Sequence, residues 1–106
     1  MTSVELASAA KVLRALAHPV RLGVLQCLAQ GEYNVSELTE RIGCSQSMMS
    51  QQLAILENQR LIATRKEGTA KLCSIENPDF LKLFACLESH LDKYFQHQPT
   101  SRSDDR

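Results

Sequence analysis

The chain has 106 residues, 43% of them apolar and 23% charged, with 12 basic and 12 acidic side chains that cancel to a formal net charge of zero. That length corresponds to one domain with a small core, to which burial through dimerisation would add materially. No run of about 18 apolar residues occurs, and Met1–Leu16 carries Glu5 and Lys11 within an amphipathic pattern. Neither a membrane span nor a signal peptide is therefore expected, and a cytoplasmic protein is.

In chain order, Val4–Ala17 repeats apolar residues at Leu6, Ala10, Leu13 and Ala17, a helical spacing that Val12 and Leu16 widen. His18-Pro19 interrupts it. Proline at a first helical turn lacks only an N–H that would have no partner, so a second helix is expected over Val20–Gln30, with His18 at the cap and Gly31 closing it. Glu32-Tyr33-Asn34 reads as a bridge. A third helix, SELTERI, is expected to be capped by Ser36 and ended by Gly43, and a fourth, Gln46–Asn58, to be capped by Ser45. Leu61–Arg65 and Ala70–Ile75 read as short strands joined by Lys66-Glu67-Gly68-Thr69, with Gly68 supplying a positive φ. From Pro78 a last helix carries Phe80, Phe84, Leu87, Leu91 and Tyr94 in a heptad-like stripe, more apolar surface than one small domain buries. His97–Arg106 has no apolar residue beyond Pro99 and is expected to be disordered.

Two short helices joined by a tight turn and followed by a basic hairpin make a winged helix-turn-helix, a device that lays one helix in the major groove of duplex DNA. The expected architecture is mainly α with a small β-hairpin, in the order α-α-α-α-β-β-α. Residues 1–96 form a DNA-binding and dimerisation domain and 97–106 a tail. On the fourth helix Met49, Leu53 and Leu56 have the spacing of a buried face, to be packed on Leu38 and Ile42. Gln46, Ser47, Ser50 and Gln51 occupy the other side. Glutamine can bond adenine edges bidentately, and serine can bond either bases or phosphates. Taken alone, such a face is an ordinary solvated helix surface; the turn before it and the hairpin after it favour DNA contact. Arg65 and Lys66, on the hairpin, are placed to meet backbone phosphates. Zero net charge argues mildly the other way, but between Cys44 and Ile75 Arg60, Arg65, Lys66 and Lys71 outnumber Glu57 and Glu67.

The segments LRALAHPVRLGVL, VSELTERIGCSQSMMSQQLAIL and LIATRKEGTAKLCSI resemble the ArsR/SmtB family of winged-helix repressors, over roughly Val12–Leu91. The resemblance implies a homodimer held by the first and last helices, bound to operator DNA when free and released by a small inducer. It places Ser45, Gln46, Ser47, Ser50 and Gln51 among the base- and phosphate-contacting positions, with Gln51 where many members carry His. Of the family's metal stations, the one near the third helix lacks its C-x-C. The one on the last helix retains only Asp79 and His90 in type, beside Asn77 and Lys93, against the roughly four good ligands zinc takes. No cofactor is expected.

The overall likeness is greatest to the branch that senses sulfide, persulfide or oxidants through two thiols. Cys27 falls one position beyond that branch's first thiol, and Asp92 stands where the second would be. Of the four cysteines, Cys27 and Cys86 lie among apolar neighbours and Cys73 is expected to be half-buried in a strand. Cys44 precedes the fourth helix, where thiols tend to be nucleophilic. Induction is expected through Cys27 and Cys86, or through Cys44, with metal sensing as the alternative. A winged helix serving only protein contacts would expose apolar anchors, and Met48 alone offers one. No enzyme motif is present.

Overall fold

A computed structural model describes residues 1–96, and the expected tail lies outside the described residues. Helix α1 (Ser3–Leu16) starts at a capping box: Thr2 accepts the Glu5 N–H, and the Glu5 carboxylate accepts the Thr2 N–H. Helix α2 (Pro19–Leu28) follows, with the His18 Nδ1 accepting the Val20 N–H at 3.1 Å. It ends earlier than the position of Gly31 suggests, with Ala29 at the cap.

The segment read as a bridge contains a strand, β1 (Tyr33–Asn34). Asn34 rather than Ser36 caps α3 (Val35–Ile42): its Oδ1 accepts the Glu37 N–H, and Glu37 Oε1 accepts the Asn34 N–H, both at 2.8 Å. The reciprocal pair satisfies two orphan donors where Ser36 would satisfy one. Gly43 ends α3 in the left-handed conformation (φ 78°), as its position indicates. Ser45 caps α4 (Gln46–Asn58), with its hydroxyl accepting the Met48 N–H at 3.0 Å.

At the far end of α4 the chain turns through Arg60, whose φ is 57°. The Leu61 N–H reaches the Leu56 carbonyl and the Arg60 N–H that of Glu57, a Schellman closure made without glycine. Strands β2 (Ile62–Glu67) and β3 (Ala70–Ile75) then form an antiparallel hairpin in which Ile62 faces Ile75 and Glu67 faces Ala70. Its two-residue turn has positive φ at Gly68 and not at Thr69, the type II′ pattern. β1 pairs with the other edge of β3, so the sheet has three strands in the order β1-β3-β2. Helix α5 (Asp79–Gln96) completes the chain.

The core lies where α2, α3 and α4 meet the base of the sheet: Val24, Leu25, Leu38, Met49, Leu56, Ile62 and Cys73 have no exposed surface. Met49, Leu53 and Leu56 form the buried face of α4, against Leu38 and the half-buried Ile42. Arg41 covers the Tyr33 ring at 4.6 Å, which tethers α3 to β1. α5 contributes only Phe84 to the buried core, and α1 only Ala15. Among the described residues no helix is long and apolar enough to cross a membrane.

Candidate nucleic-acid interface

The buried stripe of α4 dictates what its other side can do. With Met49, Leu53 and Leu56 turned inward, Ser45, Gln46, Ser47, Ser50 and Gln51 are all exposed on one surface, as the sequence spacing requires. The serines keep that surface shallow, so the helix backbone can approach a groove floor. Between α4 and the hairpin runs an open groove of about 450 Å³, bordered by Ser50, Ala54 and Glu57 on one wall and by Thr69 and Lys71 on the other, with the start of α3 at its end. Glu57, the one carboxylate in this groove wall, is held by the Thr64 hydroxyl at 2.8 Å.

The two hairpin cations anticipated from sequence are in different situations. Arg65 forms a bidentate pair with Glu32, both N···O distances being 3.0 Å, and also reaches Glu67 at 3.4 Å. The hydrogen bonds from Arg65 push the Glu32 carboxyl below the usual carboxylate range, and the same bonds raise Arg65. With two carboxylates on its fork, Arg65 ties the wing to the loop after α2 while about half of its side chain stays exposed, at 51%. Lys66 is fully on the surface and lies directly across the hairpin from Lys71. Like charges facing across two strands are unfavourable in the free protein, and a phosphate between them would relieve the repulsion. Lys71 entered the sequence analysis only through the local charge balance; the strand register that pairs it with Lys66 places it on the wing surface.

Sequence reasoning missed Gln52. It is buried, at 6% exposure, within the apolar stripe of α4. Its Oε1 accepts a hydrogen bond from Arg21 Nη1 at 2.5 Å. A polar residue at a position where helical spacing demands an apolar one was the available signal.

All four cysteines are free. Cys73, expected half-buried, is completely enclosed, and burial pushes its thiol up. Cys86, expected among apolar neighbours, is exposed because it lies two positions beyond Phe84, about 200° round α5 from the inward face. Gln26 and Leu22 of α2 face Phe84, Leu87 and Leu91 of α5, so a bridge from Cys27 to Cys86 within one protomer would require α5 to rotate about its axis. Iodoacetamide applied to the native protein should label the half-buried Cys27 and Cys44 well before Cys73, which should react only at the rate of unfolding. Peptide mass mapping over time reads that order, and early labelling of Cys73 would contradict it. Asp79 and His90 are eleven positions apart on α5, about 16 Å along its axis, so one protomer cannot bring them to a single ion. No group of three or more potential ligands is assembled among the described residues.

A recognition helix with a polar, short-chained outer face, a capped turn before it and a lysine-bearing hairpin beside it define a winged helix-turn-helix regulator. Comparison with known proteins gives the particular lineage. Residues 18–64 match the profile of the bacterial regulatory protein, arsR family. Over 77 residues the chain is 36% identical to the HTH-type transcriptional regulator Rv0081 of Mycobacterium tuberculosis, covering 72% of this chain and 68% of that one. It is 42% identical over 57 residues to the biofilm growth-associated repressor of Xylella fastidiosa, covering 54% of this chain and 50% of that one. The homodimeric winged helix-turn-helix DNA-binding domain of a possible ArsR-family regulator from Mycobacterium bovis superimposes with a TM-score of 0.83 at 31% identity, covering 94% and 93% of the two chains. The chain belongs to the ArsR family of bacterial transcriptional regulators.

Proposed function

We propose that this protein is a homodimeric repressor that binds an inverted repeat in duplex DNA, with α4 in the major groove and the β2–β3 wing over the adjacent backbone. The observation that carries this reading is the polar face of α4, where Gln46, Ser47, Ser50 and Gln51 are exposed together beside the wing lysines. The Xylella fastidiosa relative is a repressor, and the Mycobacterium bovis domain is homodimeric. Within this division of labour, Gln46 and Gln51 read base edges, while Ser45, Ser47, Ser50, Lys66 and Lys71 hold phosphates.

The inducer in this reading is a thiol-reactive species. Its support is the exposed Cys86 on the dimer helix and the half-buried Cys44 in the turn that sets α4. A peroxide would convert either thiol to a sulfenic acid and itself be reduced to water. Cys27 takes part only if α5 moves. Metal induction is the weaker reading, since Asp79 and His90 would each need ligands from a second protomer.

Binding measurements separate the two kinds of DNA contact. Gln51→Ala should narrow the gap between operator and mutated operator, each good bidentate contact contributing about 1–3 kcal/mol of discrimination. Lys66→Ala and Lys71→Ala should each weaken binding to every sequence alike and reduce the salt slope by about one. Equal loss of specific and non-specific binding in all three variants would contradict this assignment.

A further inference from the structure

The buried end of the Gln52 side chain meets a guanidinium that also serves a different helix. Arg21, in the first turn of α2, donates from Nε to the Ala15 carbonyl at 2.6 Å and from Nη2 to the Arg14 carbonyl at 3.4 Å. These are last-turn carbonyls of α1; that of Arg14 also accepts the Ala17 N–H at 3.2 Å, and a cation there suits the helix dipole. The same planar group donates from Nη1 to Gln52 Oε1, and Gln52 Nε2 lies 3.2 Å from the Met48 sulfur. One rigid fork thus joins the C-terminus of the first helix to the inner face of the recognition helix. Apolar packing between the two helices is confined to one end: Ala15 is buried in the shared core, with Val12 and Leu16 against it. An open groove bordered by Lys11, Arg14, Ile55 and Gln59 separates α1 from the second half of α4, and Ile55 remains 38% exposed.

We infer that Arg21 and Gln52 are positioning residues that fix the angle of the recognition helix relative to α1, and so set the half-site spacing the dimer accepts. The inference rests on the proposed reading of α1 as part of the dimer interface and of α4 as the DNA reader. α1 is then fixed with respect to the two-fold axis, and any tilt of α4 against it is copied in both protomers. α4 has 13 residues, about 20 Å, so a tilt of about 10° displaces its far end by about 3.4 Å, one base-pair step. Gln52 is adjacent to Gln51, so the joint holds the helix beside a base-reading position. A guanidinium suits this task better than an ammonium, because its donors are fixed in one plane and can serve two helices at set angles.

The test uses the full chain and a set of duplexes carrying the same two half-sites, with their separation varied in single base pairs. Wild type should prefer one separation. Gln52→Leu and Arg21→Lys should each lower the preference for that separation over its neighbours at least tenfold. Non-specific binding to long duplex DNA at low salt should stay within twofold of wild type, and sedimentation should still show a dimer. Gln52→Glu, which keeps an acceptor for Arg21, should retain the wild-type spacing preference. A folded Gln52→Leu or Arg21→Lys dimer with wild-type spacing preference would overturn the inference, as would an equal loss at every spacing and on non-specific DNA. If Gln52→Leu does not fold, Arg21→Lys decides, since it keeps the charge and loses only the fork. A wild-type protein with no preference for inverted repeats would instead overturn the repressor reading.

Discussion

Replacing Leu83 and Tyr94 together by glutamate should leave a folded monomer that has lost operator binding. Both side chains are more than half exposed, at 54% and 53%, and they flank Leu87 and Leu91, which border the α2 groove and are themselves still exposed. α1 adds Val4, Leu6 and Leu13, exposed at 75%, 56% and 61%. Apolar surface of this extent on two helices of one small protomer is characteristic of an interface, and burying it is the principal favourable term in association. Neither substituted residue supports the protomer core, which takes only Phe84 from α5. Circular dichroism should therefore keep its helical signal while sedimentation shifts to the monomer mass. A monomer holds one half-site only, so its affinity should fall toward the non-specific level, a loss of about 10³-fold or more. A variant that remains dimeric would place the interface elsewhere.

The second large effect concerns the support of the recognition helix. Leu38→Ala should destabilise the fold by about 2–5 kcal/mol, because Leu38 is completely enclosed between α3 and the buried face of α4 and its removal leaves a cavity. Domains of this size have a total stability of about 5–15 kcal/mol, so the loss is a large fraction of the whole. Each kcal/mol corresponds to about 4–8 °C for a domain near this length, and a fall in melting temperature of about 10 °C or more follows. The comparison must be made at one protein concentration, since dimerisation adds to apparent stability. A fall below about 4 °C would mean that Met49, Leu53 and Leu56 collapse into the space.

Most of the architecture was legible in the sequence because local signals and the apolar period agree. Gly43, Ser45 and Gly68 each stand where a left-handed residue, a cap or a tight turn is required, and the structure uses them so. The features that were not legible depend on partners distant in the chain. Strand β1 is two residues long and exists only because the edge of β3 is available, Tyr33 facing Cys73 and Asn34 facing Leu72. Arg60 adopts a glycine-like conformation that no local residue announces, since it is the closure onto Leu56 and Glu57 that demands it. The outer face of α4 followed from its inner stripe, but Arg65 could not be separated from Lys66 without Glu32, 33 positions away. Cys86 was misjudged because the α5 stripe is broad, and two positions along a helix reverse the direction of a side chain. Arg21 and Gln52 are 31 positions apart and were invisible as a pair.

If two copies of α4, related by a two-fold axis, read one duplex, the preferred DNA site must carry the same symmetry. Selecting bound sequences from a random duplex pool with the 106-residue protein, then footprinting the winner, is the decisive measurement. The expected winner is an inverted repeat whose half-site centres are about one helical turn apart, ~34–36 Å, protected on both halves by one dimer. Enrichment of a single unrepeated site, or of no sequence at all above salt-sensitive background binding, would contradict this two-fold reading.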